Sequence, residues 1–191
     1  MKPLTLLQGE RLRLRPLSEA DADGDYPAWL NDQATNSGNA HGVFPYSREE
    51  ARRYIAASHG RQDALILAIE LLDGRHIGNI ALQAIHPIHR RAEFAILLGD
   101  AACRGQGYGR EAGQLLCRHG FLRLNLQRIE CGTFANNAAM QRLAHALGMQ
   151  EEGRRRQAAF VGGHYLDIVE FGMTRDEFLS QNAPAEKACH D

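Results

Sequence analysis

Along Arg11-Leu12-Arg13-Leu14-Arg15-Pro16-Leu17 apolar and charged residues alternate, which predicts a strand with one face on a core and one in water. The period then changes. Ser18 with Asp21 reads as an N-cap and an acidic first turn, and Tyr26, Trp29 and Leu30 follow on the helix they open. From Asn31 to Gly42 the chain is rich in Asn, Gly and Ser without any period, which predicts a loop. Ser47-Arg48-Glu49-Glu50 is a capping box, and Ala51, Tyr54 and Ile55 carry its helix to about Ala57.

Two apolar runs, Ala64 to Leu71 and His76 to Ala84, flank Asp73-Gly74, a strong hairpin signal. A third strand-like run, Ala92 to Leu98, precedes the glycine cluster Arg104-Gly105-Gln106-Gly107-Tyr108-Gly109 and a helical pattern with Ala112, Leu115, Leu116 and Phe121. Arg128 to Thr133 suits a short strand. Asn137 starts a helix through Leu143 and Leu147 to a stop at Gly148, and two more strands flank Gly162-Gly163. With no internal repeat and no linker, the expectation is one mixed α/β (α+β) domain over residues 1–180, then a disordered tail at 181–191.

Composition narrows the partners. The chain has 191 residues, 44% of them hydrophobic, enough for one core. Its 22 basic and 23 acidic residues leave a net charge of −1, which offers no electrostatic reason to expect nucleic acid or an anionic membrane. No apolar run approaches the ~20 residues that span a bilayer. The opening Met1 to Leu7 turns charged at Glu10 and Arg11, too short for a secretory signal, so the cytoplasm is the expected location. Cys103, Cys117, Cys131 and Cys189 form no C-x-x-C pair, and no histidine stands at zinc-finger spacing from one. Reduced structural thiols and no metal are expected.

The glycine cluster carries the chemistry. Three glycines at alternate positions between a strand and a helix free backbone N–H groups to converge on an anion, with the helix N-terminus adding partial positive charge. A dinucleotide fingerprint fails, because after Gly105 and Gly107 the required glycine falls on Arg110 and Gly109 is one residue early. A P-loop fails for want of Gly-Lys-Ser/Thr. On the residues alone, a phosphate cradle and a plain tight turn both remain open.

Arg104 to Gly109 resembles the R/Q-x-x-G-x-G/A acyl-CoA loop of the GNAT superfamily of N-acetyltransferases. The resemblance extends from Ala92 to Gly153. Ala92 to Leu98 is similar to the family's splayed strand, and Phe121 to Ile129 to its Phe-x-x-Leu-x-Leu-x-Arg-Ile stretch. Asn137 with Leu147-Gly148-Met149 and Glu152-Gly153 follows the segments after it. Trp29-Leu30-Asn31-Asp32 and Tyr165-x-Asp167 resemble the branch holding ribosomal-protein N-terminal acetyltransferases. The resemblance implies a central, mostly antiparallel twisted sheet of six to seven strands, splayed at the cofactor strand, with helices on both faces. It implies acetyl-CoA as cosubstrate and direct attack by a primary amine, of a small molecule or a peptide N-terminus. A homodimer fits it as well. A non-catalytic acyl-CoA-binding module of the same fold is the alternative.

The resemblance also assigns residues. The pyrophosphate would lie over Arg104, Gly105, Gln106, Gly107, Tyr108 and Gly109, with Arg110 and Arg142 as further cations. Backbone groups of Phe94, Ile96, Leu97 and Leu98 would pair with the pantetheine arm as with an added strand. Asn137 would touch that arm, or serve only as an N-cap. Attack needs a neutral amine, and Glu93 is the candidate proton acceptor, with a solvated strand-end carboxylate as its bland counterpart. The family's usual acid is missing: its positions hold Ala144 and Met140, which leaves water or Tyr165 to protonate the thiolate. Substrate contacts are expected from Trp29, Asn31, Phe44 and Tyr46, with core packing the competing explanation for Trp29.

Overall fold

The computed structural model describes residues 4–36, 38–39 and 43–182. In chain order the elements are β1 (Leu7–Gln8), β2 (Leu12–Pro16), α1 (Glu19–Asp23), α2 (Tyr26–Asn31), α3 (Gln33–Asn36), α4 (Arg48–Ser58), β3 (Leu65–Leu71), β4 (His76–His86) and β5 (Arg91–Leu98). A 3-10 turn (Ala101–Cys103) leads to α5 (Tyr108–Leu122), β6 (Arg128–Phe134), α6 (Ala138–Ala146), β7 (Gln150–Val161), β8 (His164–Thr174) and α7 (Arg175–Gln181). The strands form one sheet in the order β1-β2-β3-β4-β5-β6-β8-β7. All neighbours are antiparallel except β5 and β6. The sheet has eight strands among the described residues because Leu7–Gln8 adds a short outer one to the six or seven expected.

Period-two alternation divides the core between the two faces. Leu67 and Ile69 of β3 join Leu12, Leu14, Phe94 and Ile129 beneath α5, α6 and α7. Ala68 and Ile66, one residue out of phase, turn to the other face and pack with Trp29, Leu30, Ala51 and Ile55 of α2 and α4. On this second face the packed cluster reaches β5 through Leu97. Beyond β5 the same face, along β6 and β8, carries Arg128, Glu130, Gly132, Ile168 and Glu170, all half-buried or exposed.

Three expectations change in physical detail. The helix anticipated from Ser18 onward breaks at Gly24, because Pro27 in the first turn of α2 cannot continue an incoming helix. The anticipated loop contains the turn α3, started by the Asp32 carboxylate accepting from the Thr35 N–H at 2.7 Å. Of that loop residues 37 and 40–42 lie outside the described residues, as do 183–191 of the anticipated tail. The charged positions of β2 are drawn away from water, Arg13 in part and Arg15 almost wholly. α1 covers Arg15, which donates to both Asp21 carboxylate oxygens at 2.8 and 2.7 Å and to Glu70 at 2.5 Å. Burial alone would raise the Asp21 carboxyl, but hydrogen bonds from Arg15, His76 and the Ser18 N–H hold it well below the usual carboxylate range.

Candidate active site at the splay of the sheet

β5 and β6 run parallel and share three rungs, Arg91↔Arg128, Ala92↔Ile129 and Glu93↔Glu130. Beyond Glu93 they part, while β5 stays paired with β4 as far as Leu98. Among the described residues Phe94–Leu98 therefore has a strand on one side only, and its other edge presents backbone donors and acceptors to a slot. Ile96 and Leu98 pack into the core below and Leu97 into the cluster above, which holds this bare edge straight. Gly78 makes the β4–β5 pairing close, since a Cβ there would run into the Leu97 carbonyl.

At the end of β5 the chain turns into the glycine loop. Asp100 caps the 3-10 turn by accepting from the Ala102 N–H at 2.9 Å. Gly105 and Gly107 then take φ of +74° and +84°, left-handed values that a side chain would strain. Gly107 is also the N-cap of α5, so the unpaired N–H groups of its first turn emerge at the mouth of the slot. Gly109 is buried against Ile96 and Leu98, which seats the helix on β5.

Arg11, which the sequence reading passed over, braces this loop. It donates to the Gln106 carbonyl at 2.9 Å and to Glu111 at 2.8 Å, and it lies 4.7 Å over the Tyr108 ring. Arg104 points inward, donating to the Leu98 and Gly99 carbonyls and to the Thr35 hydroxyl at 2.8 Å, so its charge ties the loop to α3. Arg110 and Arg142 stand in solvent.

Asn137 caps α6, its Oδ1 accepting from the Met140 N–H at 3.1 Å, while its Nδ2 donates to the Gly38 carbonyl at 2.9 Å. Its amide thus joins the start of α6 to the segment between α2 and α4. Ala144 is fully buried and Met140 half-buried, and neither side chain carries a proton to give.

Above the slot, on the less covered face, lies a cavity of about 450 Å³ that includes Glu93, Arg128, Glu130, Gly132, Arg155 and Glu170 in its lining. Glu130 is paired with Arg91 and Arg128, and Glu170 with Arg155. Glu93 makes no ion pair among the described residues, and it stands on the last rung before the strands part. Glu170 carries no motif signal in the sequence. Only its register opposite Gly132 brings it here, and that register is a tertiary fact.

The structure spreads the other expected contacts. Trp29 is 8% exposed in the core cluster, 5.0 Å from the His76 ring, and Gly99 is bare because a Cβ there would enter the indole. Asn31 donates to the Tyr46 carbonyl at 2.7 Å and accepts from its N–H at 2.8 Å, clamping the segment before α4. Tyr46 is half-buried beside Tyr26, with ring centroids 6.1 Å apart, and Phe44 is exposed. Tyr165 pairs with Phe160 near the tip of the β7–β8 hairpin, 5.1 Å between rings. That is five residues, or about 17 Å of strand, from Glu170, so Tyr165 is not gathered with Glu93.

Residues 11–150 match the family model described as an acetyltransferase (GNAT) domain. The uncharacterized N-acetyltransferase YoaA of Bacillus subtilis (strain 168) is 30% identical over 174 residues, covering 89% of this chain and 97% of that protein. Among solved structures, RimL, a ribosomal L7/L12 alpha-N-protein acetyltransferase in complex with coenzyme A, superposes with a TM-score of 0.82 at 22% identity, covering 91% of this chain and 99% of its own. The spermidine N-acetyltransferase of Vibrio cholerae, in complex with CoA and spermine, gives 0.80 at 24% identity, covering 88% and 98%. These last two likenesses are of fold.

Proposed function

The chain belongs to the GNAT acetyltransferase family, and on that premise we propose that it transfers the acetyl group of acetyl-CoA to a primary amine, of a small molecule or a peptide N-terminus, by direct attack. The observation that carries this reading is the bare edge of Phe94–Leu98, which opens at Glu93 and ends in the left-handed glycine loop. The residues present fit the cosubstrate. An extended amide-bearing arm finds unpaired backbone partners along β5, and a pyrophosphate finds the amides of Arg104 to Gly109 with the start of α5 behind them.

The acceptor enters from the opposite side, through the cavity above the splay. Its nitrogen lone pair forms the new N–C bond as the C–S bond breaks, and Glu93 takes the amine's proton directly or through water. Water returns a proton to the departing thiolate, since Met140 and Ala144 have none to give. The test is release of free thiol from acetyl-CoA against a panel of primary amines, together with calorimetry of CoA binding. Thiol release that depends on amine is the expected result. Tight CoA binding without thiol release from any amine would leave an acyl-CoA-binding module instead.

A further inference from the structure

We propose that Glu170 is the residue that admits the acceptor as its ammonium ion, and that the acceptor class is therefore an aliphatic, cationic amine. The proposal rests on the acetyl-transfer reading of the same site and adds to it a residue and a substrate class.

Three observations place Glu170 there. Its register partner on β6 is Gly132, where an added Cβ would come 3.0 Å from the Glu170 Oε2 and 3.1 Å from Ile168. A bare backbone at 132 is what lets the carboxylate lie across β6. Gly132 is also two residues past Glu130, the last β6 residue paired with β5, so Glu170 leans over the point where the strands part. Glu93 occupies the same face on the other side of that point. On the core side of β6, between Glu130 and Gly132 in the chain, lies Cys131, whose thiol is pushed up to about 12 by burial and then by the charges of Glu170 and Glu93. Both carboxylates are thus within electrostatic reach of one sulfur.

The charges of the cavity point the same way. Among its lining residues are Glu93, Glu130, Glu152 and Glu170, against Arg128 and Arg155. Arg128 is held by Glu130 and Glu152. Glu170 is answered by Arg155, an exposed side chain on β7, and Glu93 by no cation among the described residues. A cleft with surplus negative charge draws cations and disfavours anions. Arg155 is the cation that Glu170 holds when the cleft is empty, and its long exposed side chain can give way to a competing ammonium. Glu170 then holds the N–H that stays in the amide, Glu93 receives the proton whose loss frees the lone pair, and the third proton leaves after attack to water, which in turn protonates the departing thiolate.

The experiment compares benzylamine, an ammonium at neutral pH, with aniline, which is uncharged there, on the full chain and its Glu170→Gln variant. Thiol release gives kcat and KM, and calorimetry on CoA-saturated protein gives the Kd of each amine. Glu170→Gln is expected to weaken benzylamine by roughly 10-fold or more, the loss of one charge-assisted hydrogen bond, in both KM and Kd. Aniline binding, kcat for benzylamine and CoA affinity should stay unchanged, which a merely structural loss would not allow. An equal loss for both amines, or none for benzylamine, overturns the proposal. Should the wild type release no thiol, acetyl transfer falls, while the ratio of Kd values still decides Glu170.

Discussion

At the residue scale the site divides into groups that spacing reveals and groups that only the fold assembles. The places of the glycine loop and of Glu93 are legible because their signals are local: alternate glycines before a helix, and a carboxylate at a strand start. Arg11 and Glu170 are not. Arg11 reaches Gln106 and Glu111 across about a hundred residues, and Glu170 owes its place to a glycine on another strand. Asn137 illustrates a third case, in which the capping pattern is right and incomplete, since the same amide also holds Gly38. For Glu93 the reading makes a kinetic prediction. On the proposed reading, in which backbone groups hold most of the cosubstrate, Glu93→Gln keeps the shape and should lower kcat by roughly 10²–10⁴ with CoA affinity unchanged. Raising the pH should partly restore kcat in the variant, since more of the bound acceptor has then lost its proton to solvent. Equal kcat in the two proteins near neutral pH would assign the proton to bulk water.

At the scale of elements, period and capping place nearly every helix and strand, and the departures share a cause. A pattern reports polarity, not the partner that meets it. Arg13 and Arg15 alternate with leucines as on a solvated face, yet Glu70 pairs with both, and α1 folds over Arg15 and brings Asp21 to it. Likewise Asn31–Gly42 reads as loop, although Asp32 can cap a turn within it. The buried pair has a measurable consequence. The Asp21 carboxyl has a folded pKa depressed below its ordinary 3.8, so its contribution is fully present above that value. The contribution is lost as the pH falls below it toward the folded pKa. Asp21→Asn should cost about 3 kcal/mol at neutral pH, the expense of leaving Arg15 partly uncompensated. Denaturant titrations from pH 6 to pH 2 should show the wild type losing its advantage over the variant in the acid arm. A difference that stays constant across that range would remove Asp21 from the acid dependence.

At the scale of the whole molecule, the features that make the site also tie its parts together. Trp29 fills the space that Gly99 leaves, Arg104 reaches Thr35 and Asn137 reaches Gly38, so the helices over the second face are fastened to both the glycine loop and α6. Across the sheet itself the joint is thinner. Five strands on one side and three on the other meet in three parallel rungs, Arg91 to Glu93 against Arg128 to Glu130. Mechanically this is a seam, and a molecule inserted along it works as a keystone. Hydrogen exchange is the natural gauge. In the free protein the slot-facing amides of Phe94–Leu98 and Cys131–Phe134 should exchange quickly. With CoA at a hundred times its Kd, unfolding is opposed by about 2.7 kcal/mol more. Exchange should then slow on both sides of the seam together, reaching into β4 and β8, whereas protection confined to the glycine loop would mean that the arm never lies between the two half-sheets.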